Sequence, residues 1–242
     1  VTTELGRSGS VIITFDDGYR AALIADEVLA KRTNNAYFFM PISNVGSSMP
    51  LWIDRIMAWF AYVPEGEYMI ANRKVRIGDS LSRQLAFSSL IDTLYEKYDK
   101  DSIIEMLGVT YPYEALPIDP AYFDLRFKGL TEEELLMLKR KGHKIGGHSV
   151  CHDILSMLNE RELRLDFEAC SERVGHLYNT DLFAYPYGHK RDVTPRVIKE
   201  CAQSAFAFAV MNEYNAEASE YSLSRMNISH YYSRFEIEAS LS

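Results

Sequence analysis

Two adjacent carboxylates, two histidines four residues apart and a tyrosine-rich turn carry the chemistry of this sequence. Asp16 and Asp17 end the β-branched apolar run Val11-Ile12-Ile13-Thr14-Phe15 and precede Gly18. That is the profile of a buried strand delivering acids to the mouth of a parallel sheet or barrel, although Asp-Gly after a strand is equally a turn signal. His148 and His152 follow the glycine-containing segment His143-Lys144-Ile145-Gly146-Gly147. Histidines at this spacing can present both imidazoles to one metal ion, but the glutamate that lies between them in zinc proteases is missing. A carboxylate from elsewhere must then supply a third ligand and a base, and Asp16 and Asp17 fit. The third segment is the turn Tyr185-Pro186-Tyr187-Gly188 after the apolar Leu182-Phe183-Ala184. All three share one layout of strand, polar tip and helix, and in a closed or nearly closed barrel such tips meet on one rim.

The elements that must position these tips follow from periodicity and punctuation. Arg20 to Arg32 is apolar at helical spacing and stops at Asn34-Asn35, and Ala36 to Met40 reads as a short buried strand, which completes one βαβ unit. Residues 45–128 break the alternation. Leu51 to Tyr62 predicts a helix, Glu67 to Ile77 a hairpin turning near Asn72-Arg73, Ser82 to Tyr98 a long helix, Ser102 to Leu107 a shorter one, and a Pro-containing aromatic stretch follows. We read this as an α-rich insertion that walls or lids the site. The rhythm resumes with capping boxes at Thr131-x-x-Glu134 and Asn159-x-x-Glu162, the second opening a helix to about Tyr178. Pro195 to Cys201 predicts a helix, and Ala205 to Met211 and Leu223 to Ile228 predict strands. Strands alternating with helices, without a Gly-rich phosphate loop, imply a parallel sheet that is not a dinucleotide fold.

Composition narrows the class. With 242 residues, 47% of them hydrophobic, the chain can bury a sizeable core. A net charge of -8, with no dense Lys/Arg cluster, argues against a nucleic-acid partner. Three cysteines without a C-x-x-C pair indicate neither a disulfide framework nor a cysteine zinc site. No apolar run reaches the roughly 18 residues of a membrane span, and no signal-peptide profile precedes the first strand. The compartment stays open between cytoplasm and cell envelope, and the oligomeric state is not readable.

At this point the sequence resembles the polysaccharide deacetylase family, the NodB-homology or carbohydrate esterase family 4 group. The resemblance rests on Thr14-Phe15-Asp16-Asp17-Gly18-Tyr19, His148-Ser149-x-x-His152 and Phe183-Ala184-Tyr185-Pro186-Tyr187-Gly188, and it leaves the insertion unmatched. It implies one catalytic domain over 1–242, folded as a distorted (β/α) barrel of about seven parallel strands with the insertion after the second. It implies that Asp16 is the general base, that Asp17, His148 and His152 bind a divalent metal, and that Tyr187 offers its backbone N–H to an oxyanion. The metal is zinc by first choice, and N/O ligands of this kind also accept cobalt, nickel or iron. Tyr185, Pro186 and Tyr187 are placed for sugar contact. The implied activity is removal of N-acetyl groups from amino sugars of a polysaccharide or glycan precursor, so the expected partner is an N-acetylated carbohydrate. The rivals are an amidohydrolase for a non-carbohydrate amide and a carbohydrate-binding relative that has lost turnover.

The sequence also departs from the family. Ala184 stands where many members carry an arginine, so nothing local orients Asp16, and Arg225 at the start of a late strand is the candidate replacement. The late histidine that protonates the leaving amine has no clear match beyond His230. Of the remaining histidines, His143 reads as a cation at the Gly142 helix stop, His176 as an exposed helical residue, and His189 as a candidate substrate contact. Cys151 reads as a buried thiol, and Trp52, Trp59 and Phe60 read as core of one helix.

Overall fold

In the computed structural model, which describes residues 11–32, 35–97, 99–212, 217 and 219–228, the chain opens with β1 (Thr14–Phe15), α1 (Ala22–Ala30) and β2 (Tyr37–Met40). The stretch after β2 holds α2 (Trp52–Tyr62), the hairpin β3 (Gly66–Ile70) and β4 (Arg73–Ile77), and the helices α3 (Ser80–Lys97), α4 (Lys100–Thr110) and α5 (Pro120–Phe127). Then come α6 (Glu132–Arg140), β5 (Lys144–Gly147), α7 (Glu160–Ser171), β6 (Leu182–Ala184), α8 (Pro195–Ala202), β7 (Phe208–Met211) and β8 (Leu223–Ser224).

Six strands pair in the order β1-β2-β5-β6-β7-β8, every pair parallel. Each connection steps one strand further in the same direction, so the sheet has no switch point and curls as a barrel wall. Arg225, just past β8, reaches Thr14 Oγ1 on β1 at 3.1 Å, so a side chain bridges the two edge strands. Six described strands stand against the seven or so expected, and both edge strands are shorter than the apolar runs that announced them.

Residue alternation builds both faces of the sheet. In β2 all four side chains are buried. Phe38 and Met40 join Ile145, Phe183 and Met211 in a core with helix residues such as Leu138, Phe167 and Val197, while Tyr37 and Phe39 join Leu182, Ala184 and Val210 on the opposite face. Gly146 and Gly147 are required by close approach. A Cβ on Gly146 would lie 2.5 Å from the Leu182 carbonyl oxygen, and one on Gly147 would lie 2.6 Å from the Phe206 ring.

Between β2 and α6 the helices and the hairpin enclose a separate apolar cluster around Trp59, Ile56, Val63 and Leu107. The hairpin turns at Ala71-Asn72, both at positive φ (50° and 59°), one residue earlier than expected. The Pro-containing stretch contains a helix the periodicity did not announce: Asp119 accepts from the Tyr122 N–H and Pro120 occupies the first turn. Both predicted capping boxes form. The helix opened by the second ends at Ser171, not near Tyr178, because the chain reverses through Gly175 (φ 88°) and returns the Tyr178 hydroxyl to the Met40 carbonyl at 2.9 Å. His176 therefore lies in an exposed turn and not in a helix. Among the described residues no helix is long and apolar enough to cross a membrane.

Candidate functional site

Three strand ends converge on one rim. Beyond β1 the backbone turns through Asp17 (φ 72°) and Gly18 (φ 67°), where Met40 packs so close that a Cβ on Gly18 would approach its sulfur to 2.7 Å. Beyond β5 come His148, Ser149 (φ 62°) and His152 (φ 57°), and beyond β6 comes Tyr187 (φ 60°). Apart from the hairpin turn at Ala71-Asn72, these four are the positive-φ non-glycine residues of the described chain. Each such conformation costs on the order of 1–3 kcal/mol and persists only where its surroundings over-determine it.

The strain brings three donors together. Asp17 Oδ1 lies 3.1 Å from His152 Nε2 and 3.4 Å from His148 Nε2, and one ligand atom from each of the three residues falls within 4.8 Å of the others. Tetrahedral bonds of about 2.0–2.1 Å separate donors by about 3.3 Å, so the spacing suits a divalent ion bound by nitrogen and oxygen. The tautomers suit it as well. His148 Nδ1 donates to the Ala184 carbonyl at 2.6 Å, which leaves the Nε2 lone pair directed at Asp17. Both imidazoles are buried, while the Asp17 side chain is 32% exposed at the mouth. Burial pushes the Asp17 carboxyl up, but His152 and His148 together hold it well below the usual carboxylate range. Burial lowers His152, and the charge of Asp17 outweighs this and raises it.

Asp16 sits beside this cluster, with Oδ2 3.8 Å from His148 Nε2. Arg225 grips it from the far edge of the sheet. One guanidinium nitrogen donates to Asp16 Oδ1 at 2.8 Å, the other donates to Oδ2, and Nε donates to Asn212 Oδ1 at 2.6 Å. The arginine expected from the late strand thus pairs with Asp16, where no local residue does. Asn212 escaped sequence reading. Its Nδ2 donates to the Tyr187 carbonyl at 2.8 Å and its N–H to the Gly188 carbonyl at 2.9 Å, which ties the Arg225–Asp16 pair to the Tyr187 turn.

Other expectations are corrected. Tyr185 is 1% exposed, packs in the core beside Phe183 and donates its hydroxyl to the Tyr221 carbonyl at 2.8 Å, so it does not face a substrate. Pro186 is buried as well, and the partly exposed residue of the turn is Tyr187, whose ring meets that of His152 edge-on, centroids 4.8 Å apart. His143, beside the Gly142 helix stop, is buried and paired with the interior. It is 3% exposed, its Nδ1 accepts from the Ala36 N–H at 3.1 Å, and its Nε2 faces Asp26 Oδ1 at 3.0 Å. Cys151 is half-buried and is not one of the converging donors. His189 is exposed beyond the turn, and His230 lies outside the described residues. Trp52, Trp59 and Phe60 are core residues as expected, but Trp52 has a second role. Its Nε1–H donates to the His152 carbonyl at 2.8 Å.

Comparison with known proteins gives a family and a fold. Residues 5–206 match the polysaccharide deacetylase family model. No curated protein matches the sequence. Among solved structures, the chain is similar to a polysaccharide deacetylase from Bacillus cereus, with 16% identity, a TM-score of 0.54 and coverage of 97% of this chain and 52% of that one. It thus spans about half the length of that protein. It is also similar to the Streptococcus pyogenes deacetylase PplD solved with acetate, with 15% identity, a TM-score of 0.57 and coverage of 99% and 74%. IcaB from Ammonifex degensii matches at 15% identity and a TM-score of 0.54, over 96% and 72% of the two chains. At these identities the structural likeness speaks for the fold.

Proposed function

The chain belongs to the polysaccharide deacetylase family, and on that premise we propose that it is a metal-dependent hydrolase removing N-acetyl groups from amino sugars of a polysaccharide or glycan precursor. The observation that carries the reading is the convergence of Asp17 Oδ1, His148 Nε2 and His152 Nε2 beside an Arg225-clamped Asp16. A divalent ion on those three residues, zinc by first choice and otherwise cobalt, nickel or iron, would supply Lewis-acid polarisation of the acetamide carbonyl and lower the pKa of water to about 7.

This chain's own groups then account for the proton and the charge. Asp16 takes the proton from the attacking water, and the guanidinium of Arg225 keeps the carboxylate aimed while it waits. The left-handed backbone at Tyr187, fixed through Asn212, supports a role for the Tyr187 N–H as a donor to the tetrahedral oxyanion. Such a donor is typically worth about 2.7–4 kcal/mol. The proton held on Asp16 is available to the departing amine. The phenol ring of Tyr187, partly exposed beside His152, offers a face for the sugar.

Acetate release from N-acetylglucosamine oligomers, compared with simple acetamides, tests the reading. The expected result is release from the oligomers that is lost after chelation, restored by zinc and abolished by Asp17→Asn. Release that is indifferent to chelation refutes the metal, and preference for non-carbohydrate amides refutes the substrate class.

A further inference from the structure

The two histidines of the candidate metal centre are held in different ways. His148 follows the common pattern, in which a ligand's second ring nitrogen donates to a carbonyl, here that of Ala184. The second ring nitrogen of His152 is buried and has no hydrogen-bond partner. The His152 ring lies between those of His148 and Tyr187, at 4.9 Å and 4.8 Å, and its backbone holds the left-handed φ of 57°. On the side away from Asp17, contacts other than a ring hydrogen bond must therefore fix its direction.

The Tyr187 hydroxyl donates weakly to the His152 carbonyl at 3.5 Å, and the shorter contacts come from the region between β2 and α6. Trp52, in the first turn of α2 and 7% exposed, donates its indole N–H to the His152 carbonyl at 2.8 Å. Lys100, at the start of α4, forms an ion pair with Asp153, the next residue in the chain, and lies over the Trp52 ring at 5.8 Å. A carbonyl held on one side and a carboxylate held on the other fix the 152–153 peptide plane. Fixing that plane limits the ψ of His152, and so limits the directions its Cα–Cβ bond can take and the starting point from which the ring is aimed.

We infer that Trp52 is a positioning residue for His152, with Lys100 as a second anchor, so that the inserted helices complete the metal centre instead of lidding it. The inference rests on the proposed metal centre. Zinc affinity of the full chain, measured by competition with a chromophoric chelator, tests it together with the visible spectrum of the cobalt-loaded protein. Trp52→Phe keeps the ring and removes the N–H. It is expected to weaken zinc binding about tenfold, within the roughly 10- to 100-fold range of outer-partner mutations, and to shift the cobalt bands. Trp59→Phe is the control, because Trp59 is buried in the same apolar cluster but donates to the Tyr111 carbonyl at 3.0 Å, away from the ligands. It is expected to lower thermal stability and leave zinc affinity and the cobalt spectrum unchanged. Should Trp52→Phe fail to fold, Lys100→Met releases Asp153 at a partly exposed site and is expected to weaken zinc binding severalfold. Wild-type zinc affinity in folded Trp52→Phe, or in Lys100→Met where that variant must stand in, overturns the inference. A wild-type chain that binds no zinc refutes the metal centre itself.

Discussion

Replacing Arg225 by methionine keeps most of the side-chain volume and removes every polar bond that orients Asp16 from the far edge of the sheet. Arg225 is 13% exposed and Asp16 24% exposed, so the pair is neither fully solvated nor dry. Opposite unit charges about 4 Å apart attract by about 4 kcal/mol at an effective dielectric of about 20, and partial solvent access reduces this to about 2–3 kcal/mol. If that energy holds the base in its productive orientation, its loss lowers kcat by about 30- to 150-fold. This reaches only the lower end of the roughly 10²- to 10⁴-fold worth of a positioned general base, as expected when the base is misaimed and not removed. KM is expected to stay within about threefold, because the guanidinium is engaged by Thr14, Asp16 and Asn212 and not by the substrate. The assay is steady-state acetate release by zinc-loaded protein, with Asp16→Asn and the double variant beside it. Since Arg225 acts through Asp16, adding Arg225→Met to Asp16→Asn should cost little more. A further loss of about 30-fold or more in the Asp16→Asn background, or a single variant within about twofold of wild type, refutes the reasoning.

Three other perturbations test the description. Gly146→Ala drives a methyl group against the Leu182 carbonyl and the Phe39 ring, and overpacking of this kind is expected to cost about 1–3 kcal/mol in urea unfolding; an unchanged midpoint contradicts the close approach. Tyr185→Phe removes a partly buried hydrogen bond to Tyr221 and is expected to cost about 1 kcal/mol of stability with kcat and KM unchanged, whereas a raised KM returns Tyr185 to the substrate. Burial pushes Asp166 up to about 7 against an unfolded value of about 3.9, so from about pH 4 to 7 the native state holds a proton that the unfolded chain has lost. Stability then falls as pH rises through that window, by on the order of 4 kcal/mol at most. Asp166→Asn retains an acceptor for the Val150 N–H and is expected to flatten the slope; identical slopes for the two proteins discard the buried carboxyl as its source.

The local rules that succeeded are those whose information lies within a few residues. Thr131 and Asn159 cap their helices because each places an oxygen three residues before a glutamate that can reach back. Asp16, Asp17, His148 and His152 were legible because a strand that ends in polar residues must deliver them to the same edge of a parallel sheet. The failures have equally specific causes. Helical periodicity overran Ser171 because Gly175 ends the pattern by backbone conformation and not by polarity. For Tyr185, the three-residue strand before it gives too little alternation to fix which face its side chain takes. His143 was read from the helix stop beside it, and its partner Asp26 lies far back in the chain, on α1.

The sequence by itself determined which groups reach one rim, two carboxylates and two imidazoles, since residue types and strand ends are local properties. Only the tertiary structure decided how these groups are held. Arg225 reaches Asp16 across more than two hundred residues because curling of the sheet brings β8 to β1, and Asn212 relays that contact to Tyr187. Trp52 and Lys100 reach the His152–Asp153 segment because α2 and α4 pack beside it, which no local pattern specifies. The orientation of a reactive group depends on partners that folding alone brings within hydrogen-bond distance.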